Sequence, residues 1–200
     1  MKYGVDIYNG NNYSEQWIQE ASIRGLHNLK TTVDALPYYV SDKNTALFAK
    51  HNVLTESELY SRYEILLENY YKTIHIEALT MIDMIKKEII PAVLGYQGEL
   101  ANLANSKRAL DSSYGRELEQ RLLKNISKLG DCLYEKLESL ESSVLDAKNY
   151  SETLEMAHYY REVVFLNMQS LRGVVDELET LVSKKHWTLP TYAEILYSVH

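Results

Sequence analysis

Two hundred residues suffice for one domain that buries most of its apolar surface. With 46% hydrophobic and 24% charged residues, and no apolar run near the roughly twenty residues of a membrane span, the composition is that of a soluble globular chain rather than a membrane protein. A net charge of −7 argues against a general nucleic-acid binder, and Lys107–Arg108 and Lys184–Lys185 are too short to form a basic patch.

Cys132 is the sole cysteine and no basic segment leads into an apolar N-terminal core, which together point to the cytoplasm. Met1–Asn12 reads as the tail of something larger, a cut edge with Met1 as a cloning start. Ser14–Arg24 is predicted as a helix capped by Ser14, stapled by Tyr13 and Ile18, and closed by a left-handed Gly25. Leu26–Lys30 is a linker. Thr31–Tyr39 is predicted as a short helix interrupted near Pro37, and Ser41 caps another that runs to about His51 and closes at Asn52.

Thr55 and Glu58 fit a capping box, with Leu54 and Leu59 as its staple. Leu59, Tyr63, Leu66, Tyr70, Ile74, Ala78, Ile82, Ile85 and Ile89 then recur at helical steps as a stripe to be buried. Glu56–Ile90 would reach roughly 50 Å at about 1.5 Å per residue, with a kink rather than a stop at Pro91. Leu110–Arg116, rich in Asp, Ser and Gly, is the predicted reversal. A second long helix runs from about Glu117 to Asn149 on Leu118, Leu122, Ile126, Leu129, Leu133, Leu137, Leu140 and Val144, an eleven-residue pattern that predicts a nearly straight course. Gly130 within it suggests a close helix contact. Tyr150–Ser151 is the second reversal, with Ser151 capping a third long helix to about Lys184. That helix carries Leu154, Ala157, Val164, Met168, Leu171, Val175, Leu178 and Val182, a heptad-like stripe interrupted at Arg161. The fold class expected is therefore all-α: a bundle of three long antiparallel helices, the first kinked at Pro91, with short N-terminal packing helices (1–53), the bundle itself (54–185) and a docked C-terminal tail (186–200).

Glu155-Met-Ala-His158 has the Glu-x-x-His spacing of carboxylate-bridged dimetal bundles, but those need it twice, and none of His27, His51, His75, His186 or His200 has a Glu three residues before it. His75, Glu77, Asp83 and Glu88 do not share a helix face and read as a solvated polar surface. Asp131 and Glu135 beside Cys132 argue against a nucleophilic thiolate. Gly95-Tyr-Gln-Gly98 is too short for a phosphate loop, and no Ser-His-Asp signature occurs. From its own residues the chain yields no catalytic, cofactor-binding or metal residue.

Four segments resemble the C-terminal region of the type III glutamine synthetases. They are Tyr13-Ser-Glu-Gln-Trp-Ile-Gln-Glu-Ala21 with Arg24-Gly-Leu26 and Asn28-Leu29; Thr32-Val-Asp-Ala-Leu-Pro37; Glu58-Leu-Tyr-Ser-Arg-Tyr-Glu-Ile-Leu-Leu-Glu68 with Lys72-Thr-Ile and Ile76-Glu-Ala-Leu-Thr-Met81; and Leu189-Pro-Thr-Tyr-Ala-Glu-Ile-Leu196 with Ser198-Val199. They occur in the family's order across nearly the whole chain. The resemblance implies a parent ligase that joins ammonia to glutamate with ATP through a γ-glutamyl phosphate, using a divalent metal, Mg or Mn. The family's metal-binding Glu residues and nucleotide contacts have no counterparts here, so no catalytic residue is carried over. What the resemblance leaves to this region is packing on the catalytic barrel and contact with other subunits of a homo-oligomer, with no nucleic-acid or membrane partner. Two alternatives stand beside it: a free-standing helical interaction bundle, suggested by the Tyr-rich seams, and a dimetal oxidase-like bundle.

Overall fold

In the computed structural model, which describes residues 10–11, 13–111, 113–190 and 192–197, every regular element is helical. The opening segment Met1–Asn12 lies largely outside the described residues, as do Ser112 in the first reversal and residues 191 and 198–200 of the tail. The chain divides into two compact units, Met1–Leu66 and Leu67–His200.

In the first unit the local chemistry of helix ends sets the boundaries. Helix α1, Glu15–Ile23, starts where the Ser14 hydroxyl accepts from the Trp17 N–H at 3.3 Å. It ends in a Schellman motif: Gly25 takes φ +73°, its N–H donates to the Ser22 carbonyl at 3.0 Å, and the Leu26 N–H reaches the Ala21 carbonyl at 2.9 Å. The expected staple is not made, because Tyr13 is 97% exposed. Helix α2, Thr32–Tyr39, is capped by Thr31, whose hydroxyl accepts from the Asp34 N–H at 3.2 Å. It passes through Pro37 without the expected interruption. A helix this short gives up only one interior hydrogen bond to proline. Helix α3, Asp42–Lys50, begins after Ser41, whose side chain makes no capping bond, and closes as α1 does, with Asn52 at φ +52° in place of glycine.

Helix α4, Glu56–Met84, opens on the capping box. The Thr55 N–H donates to Glu58 Oε2 at 2.8 Å, and the Glu58 N–H donates to Thr55 Oγ1 at 3.3 Å. The Thr55 backbone N–H and, after it, the Thr55 hydroxyl, which donates to Glu58 Oε2 at 2.8 Å, hold the Glu58 carboxyl below its ordinary pKa. Along the stripe Leu59, Tyr63, Ile74, Ala78, Ile85 and Ile89 are buried, but Leu67 takes the place expected of Leu66. Leu67 continues the four-residue step from Tyr63 and lies a full 100° around the helix from Leu66, so only one of the two can face inward.

Pro91 does not stop the helix. A π-helical turn, Ile85–Ile89, lies directly ahead of it, with the Ile90 N–H donating to the Ile85 carbonyl five residues back, and α5, Ile90–Leu110, carries on. Proline has no N–H and its ring crowds the carbonyl four residues earlier, and the wider turn accommodates both faults.

Asp111 opens the first reversal, its Oδ1 accepting from the Ser113 N–H at 2.7 Å. Helix α6, Glu117–Asp146, follows and ends in a 3-10 turn, Ala147–Asn149. Ile126, Leu133, Leu137, Leu140 and Val144 are buried as expected, whereas Leu118 is 68% exposed and the neighbouring Glu119 is 4% exposed. Lys107 of α5 reverses the pattern there by reaching Glu119 Oε1 at 2.5 Å and pulling the carboxylate inward. At Gly130, a Cβ would lie 4.0 Å from Val93 Cγ1, an ordinary contact, so close approach does not account for the glycine.

The second reversal places Glu152, not Ser151, at the N-cap of α7, Thr153–Tyr159. A second π turn, Tyr160–Val164, joins α7 to α8, Phe165–Leu181. It falls where the heptad-like stripe met Arg161, and Tyr160 is the buried residue there. The three long helices, α4–α5, α6 and α7–α8, thus form an all-α bundle around one core of Ile74, Ile89, Ile126, Leu133, Leu171 and Leu178 with their neighbours. At about 1.5–3 kcal/mol for each fully buried Leu or Ile, this core is the main stabilising term of the second unit. The tail docks through Trp187, buried in that core, and Leu189 packed against it. Helix α9, Tyr192–Tyr197, leaves Ile195, Leu196 and Tyr197 exposed.

Candidate functional site

The polar side chains singled out from the sequence do not converge. His158 Nδ1 faces Glu162 Oε1 at 3.7 Å, one turn onward, while Glu155 is exposed. His75 bonds Tyr160 rather than Glu77, and Asp83 pairs with Lys87 at 2.6 Å. Cys132 is half-buried. Gly95 and Gly98 lie inside α5, where their backbone N–H groups serve the helix instead of a phosphate. Among the described residues no three His, Cys, Asp or Glu side chains group as a metal site. Among the described residues these side chains therefore make no donor set for a divalent metal.

Two grooves occur. One of about 500 Å3 runs along α6 and the second π turn, lined by Glu135, Glu138, Ser139, Asp146, Tyr159 and Asn167. It is shallow and acidic, and repels rather than cradles a phosphate. The other, of about 550 Å3 in the first unit, is lined by Tyr13, Trp17, Ile18, Ala21, Leu26 and His27. Its walls are mostly apolar and aromatic, the composition of a protein contact more than of a reaction site. Among the described residues no helix is long and apolar enough to cross a membrane.

Three polar arrangements were not anticipated from the sequence. His186 Nε2 lies 2.6 Å and Lys185 Nζ 3.3 Å from Glu99 Oε2, and these bonds, His186 first, hold the Glu99 carboxyl below its ordinary pKa. The Glu119 carboxyl is likewise lowered, chiefly by Lys107, although its Oε2 is buried with no hydrogen-bond partner. Tyr160 Oη meets His75 Nδ1 at 2.9 Å. Each joins residues 12 or more positions apart, beyond what helical spacing reveals; only the Glu at the third position of α6 hinted at the second.

The glutamine synthetase C-terminal domain model matches residues 5–108. A glutamine synthetase of Butyrivibrio fibrisolvens is 40% identical over 193 residues, covering 96% of this chain and 28% of that protein. A type-3 glutamine synthetase of Dictyostelium discoideum is 33% identical over 195 residues, covering 96% and 26%. One from Bacteroides fragilis (strain YCH46) is 29% identical over 195 residues, covering 96% and 27%. The chain thus spans about a quarter of the length of these curated relatives. It belongs to the glutamine synthetase C-terminal domain family.

Proposed function

We propose that this chain is the non-catalytic helical domain of a type III glutamine synthetase. The parent enzyme forms glutamine from glutamate and ammonia in the cytoplasm, with ATP and Mg or Mn acting in its catalytic barrel. The helical domain packs on that barrel and contacts other subunits of the oligomer.

One observation carries the reading. Among the described residues of the first unit, the buried apolar side chains are Ala21, Val33, Leu59 and Tyr63, while Tyr13, Ile23, Leu26, Leu47, Val53 and Ile65 are exposed among others. Four buried side chains do not offset the chain entropy of a unit this size, and exposed apolar surface of that extent marks a contact. The relatives' remaining length, nearly three-quarters of each, supplies the material to cover it. The exposed face of α9 is a second such surface, suited to a neighbouring subunit.

The test compares this chain with the complete reading frame that contains it, each assayed for glutamine from glutamate, ammonia, ATP and Mg. The complete protein is expected to make glutamine and this chain none. Turnover by this chain alone would overturn the reading. So would a complete reading frame that adds no further residues, which would favour a free-standing interaction bundle.

A further inference from the structure

Three tyrosines form a line of ring contacts from the core of the second unit to its surface, and a base stands at the buried end. Tyr160 is 4% exposed, stacked on Tyr71 with ring centroids 5.8 Å apart and planes at 26°, and edge-on to His75 at 5.9 Å. Tyr159 meets Tyr160 edge-on at 6.5 Å. Tyr150, 36% exposed, meets Tyr159 at 4.5 Å.

The two inner hydroxyls have different partners. Tyr159 donates to the Ser143 carbonyl oxygen at 3.0 Å, an acceptor too weakly basic to take a proton. Tyr160 Oη lies 2.9 Å from His75 Nδ1. Burial, with the Tyr159 and Tyr71 phenols adding to it, raises the Tyr160 pKa above the ordinary tyrosine value, so the phenol keeps its proton, which it donates to Nδ1 in the His75 tautomer that leaves Nδ1 unprotonated. With Nδ1 accepting, the imidazole proton sits on Nε2. Removing an electron from a phenol makes its O–H strongly acidic, so a phenol bonded to a base is oxidised more readily than one bonded to a carbonyl.

We propose that Tyr150, Tyr159 and Tyr160 conduct a one-electron oxidation from the surface to the Tyr160–His75 pair, which serves as its sink. In balance, one electron leaves Tyr160, passes through Tyr159 and Tyr150, and reduces the external oxidant by one electron. One proton moves from Tyr160 Oη to His75 Nδ1, leaving a neutral tyrosyl radical and an imidazolium. Tyr159 keeps its proton and is only traversed. The oxidants concerned are one-electron acceptors such as peroxide-derived radicals, and the function does not depend on the ligase reading.

The test uses this chain with a ruthenium tris-bipyridine photosensitiser and persulfate, with freeze-quenched electron paramagnetic resonance after a light flash. A tyrosyl signal is expected that falls by more than half in Tyr160→Phe and appears more slowly in Tyr150→Phe, a surface change. In His75→Gln, which retains a hydrogen-bonding side chain but no base, the signal is expected to form and decay faster. Circular dichroism checks that each variant folds. If Tyr160→Phe does not fold, Tyr150→Phe decides. A yield unchanged in a folded Tyr160→Phe, or an unchanged rate in Tyr150→Phe, would overturn the proposal.

Discussion

The imidazole of His186 occupies the space that a side chain at Gly95 would need: its Nδ1 lies 3.0 Å from where a Cβ would be, while Nε2 holds Glu99 at 2.6 Å. The glycine in α5 and the His186–Glu99 hydrogen bond are two halves of one contact, and Trp187 beside it is seated in the core. Replacing Gly95 with Leu is expected to displace His186 and loosen the tail. Trp187 fluorescence, read in a Trp17→Phe background, should then shift to longer wavelength. An unshifted spectrum would show that the tail is held without this contact.

Gly130 makes the matching control. Its Cβ position is 4.0 Å from Val93 Cγ1, so Ala fits, and Gly130→Ala is expected to stabilise by about 1 kcal/mol through helix propensity alone. Gly95→Ala should fail to gain as much. Urea unfolding of the two variants measures the difference, and equal gains would contradict the close approach at Gly95.

The core prediction concerns Ile126, which is fully buried in the N-terminal half of α6. Ile126→Ala is expected to cost about 2–5 kcal/mol through lost transfer energy and an unfilled cavity. Leu118→Ala, on the exposed side of the same helix, should change stability by about 0.5 kcal/mol or less. Denaturant midpoints for the pair test which face is inward.

Lys107 and Glu119 depend on each other. Lys107→Met leaves the buried carboxylate with no cation, and is expected to lower the melting temperature more than Lys107→Met combined with Glu119→Gln does. A double variant less stable than the single would mean that the carboxylate is stabilised by something other than Lys107.

The pH dependence has a definite sign at both ends. Glu58, Glu99, Asp111 and Glu119 all have folded pKa values lowered by hydrogen bonds, so the stability that they contribute is complete above the ordinary carboxylate range and is lost as pH falls through their folded values. Tyr63, Tyr159 and Tyr160 are raised, burial being the first cause in each. Their contribution is complete below the ordinary tyrosine range and is lost as pH rises through the folded values. Melting temperature against pH should therefore fall in strong acid and again in strong alkali. In Glu58→Gln the acid limb should be shallower, and an unchanged limb would contradict the capping-box assignment.

Much of the fold was legible because it is local. Caps at Ser14 and Thr55, the left-handed closures at Gly25 and Asn52, and the apolar steps of α6 are written within four or five residues of where they act. Two of the misread positions are places where a distant residue intervenes or the helical period changes. Leu118 was displaced by Lys107 acting on Glu119, and Arg161 fell in a π turn that advances the buried face to Tyr160. The Tyr160–His75 and His186–Glu99 contacts join residues 85 and 87 positions apart, and periodicity carries no information on such pairs. The family was legible for a different reason, since it rests on ordered blocks of sequence rather than on chemistry at a site.

The central claim is that the exposed apolar surface of the first unit is covered by the rest of the enzyme. Hydrogen–deuterium exchange of residues 15–53, measured in this chain alone and in the complete protein, tests it most directly. Slower exchange through α1, α2 and α3 in the complete protein is the predicted result. Identical exchange in both would contradict the claim.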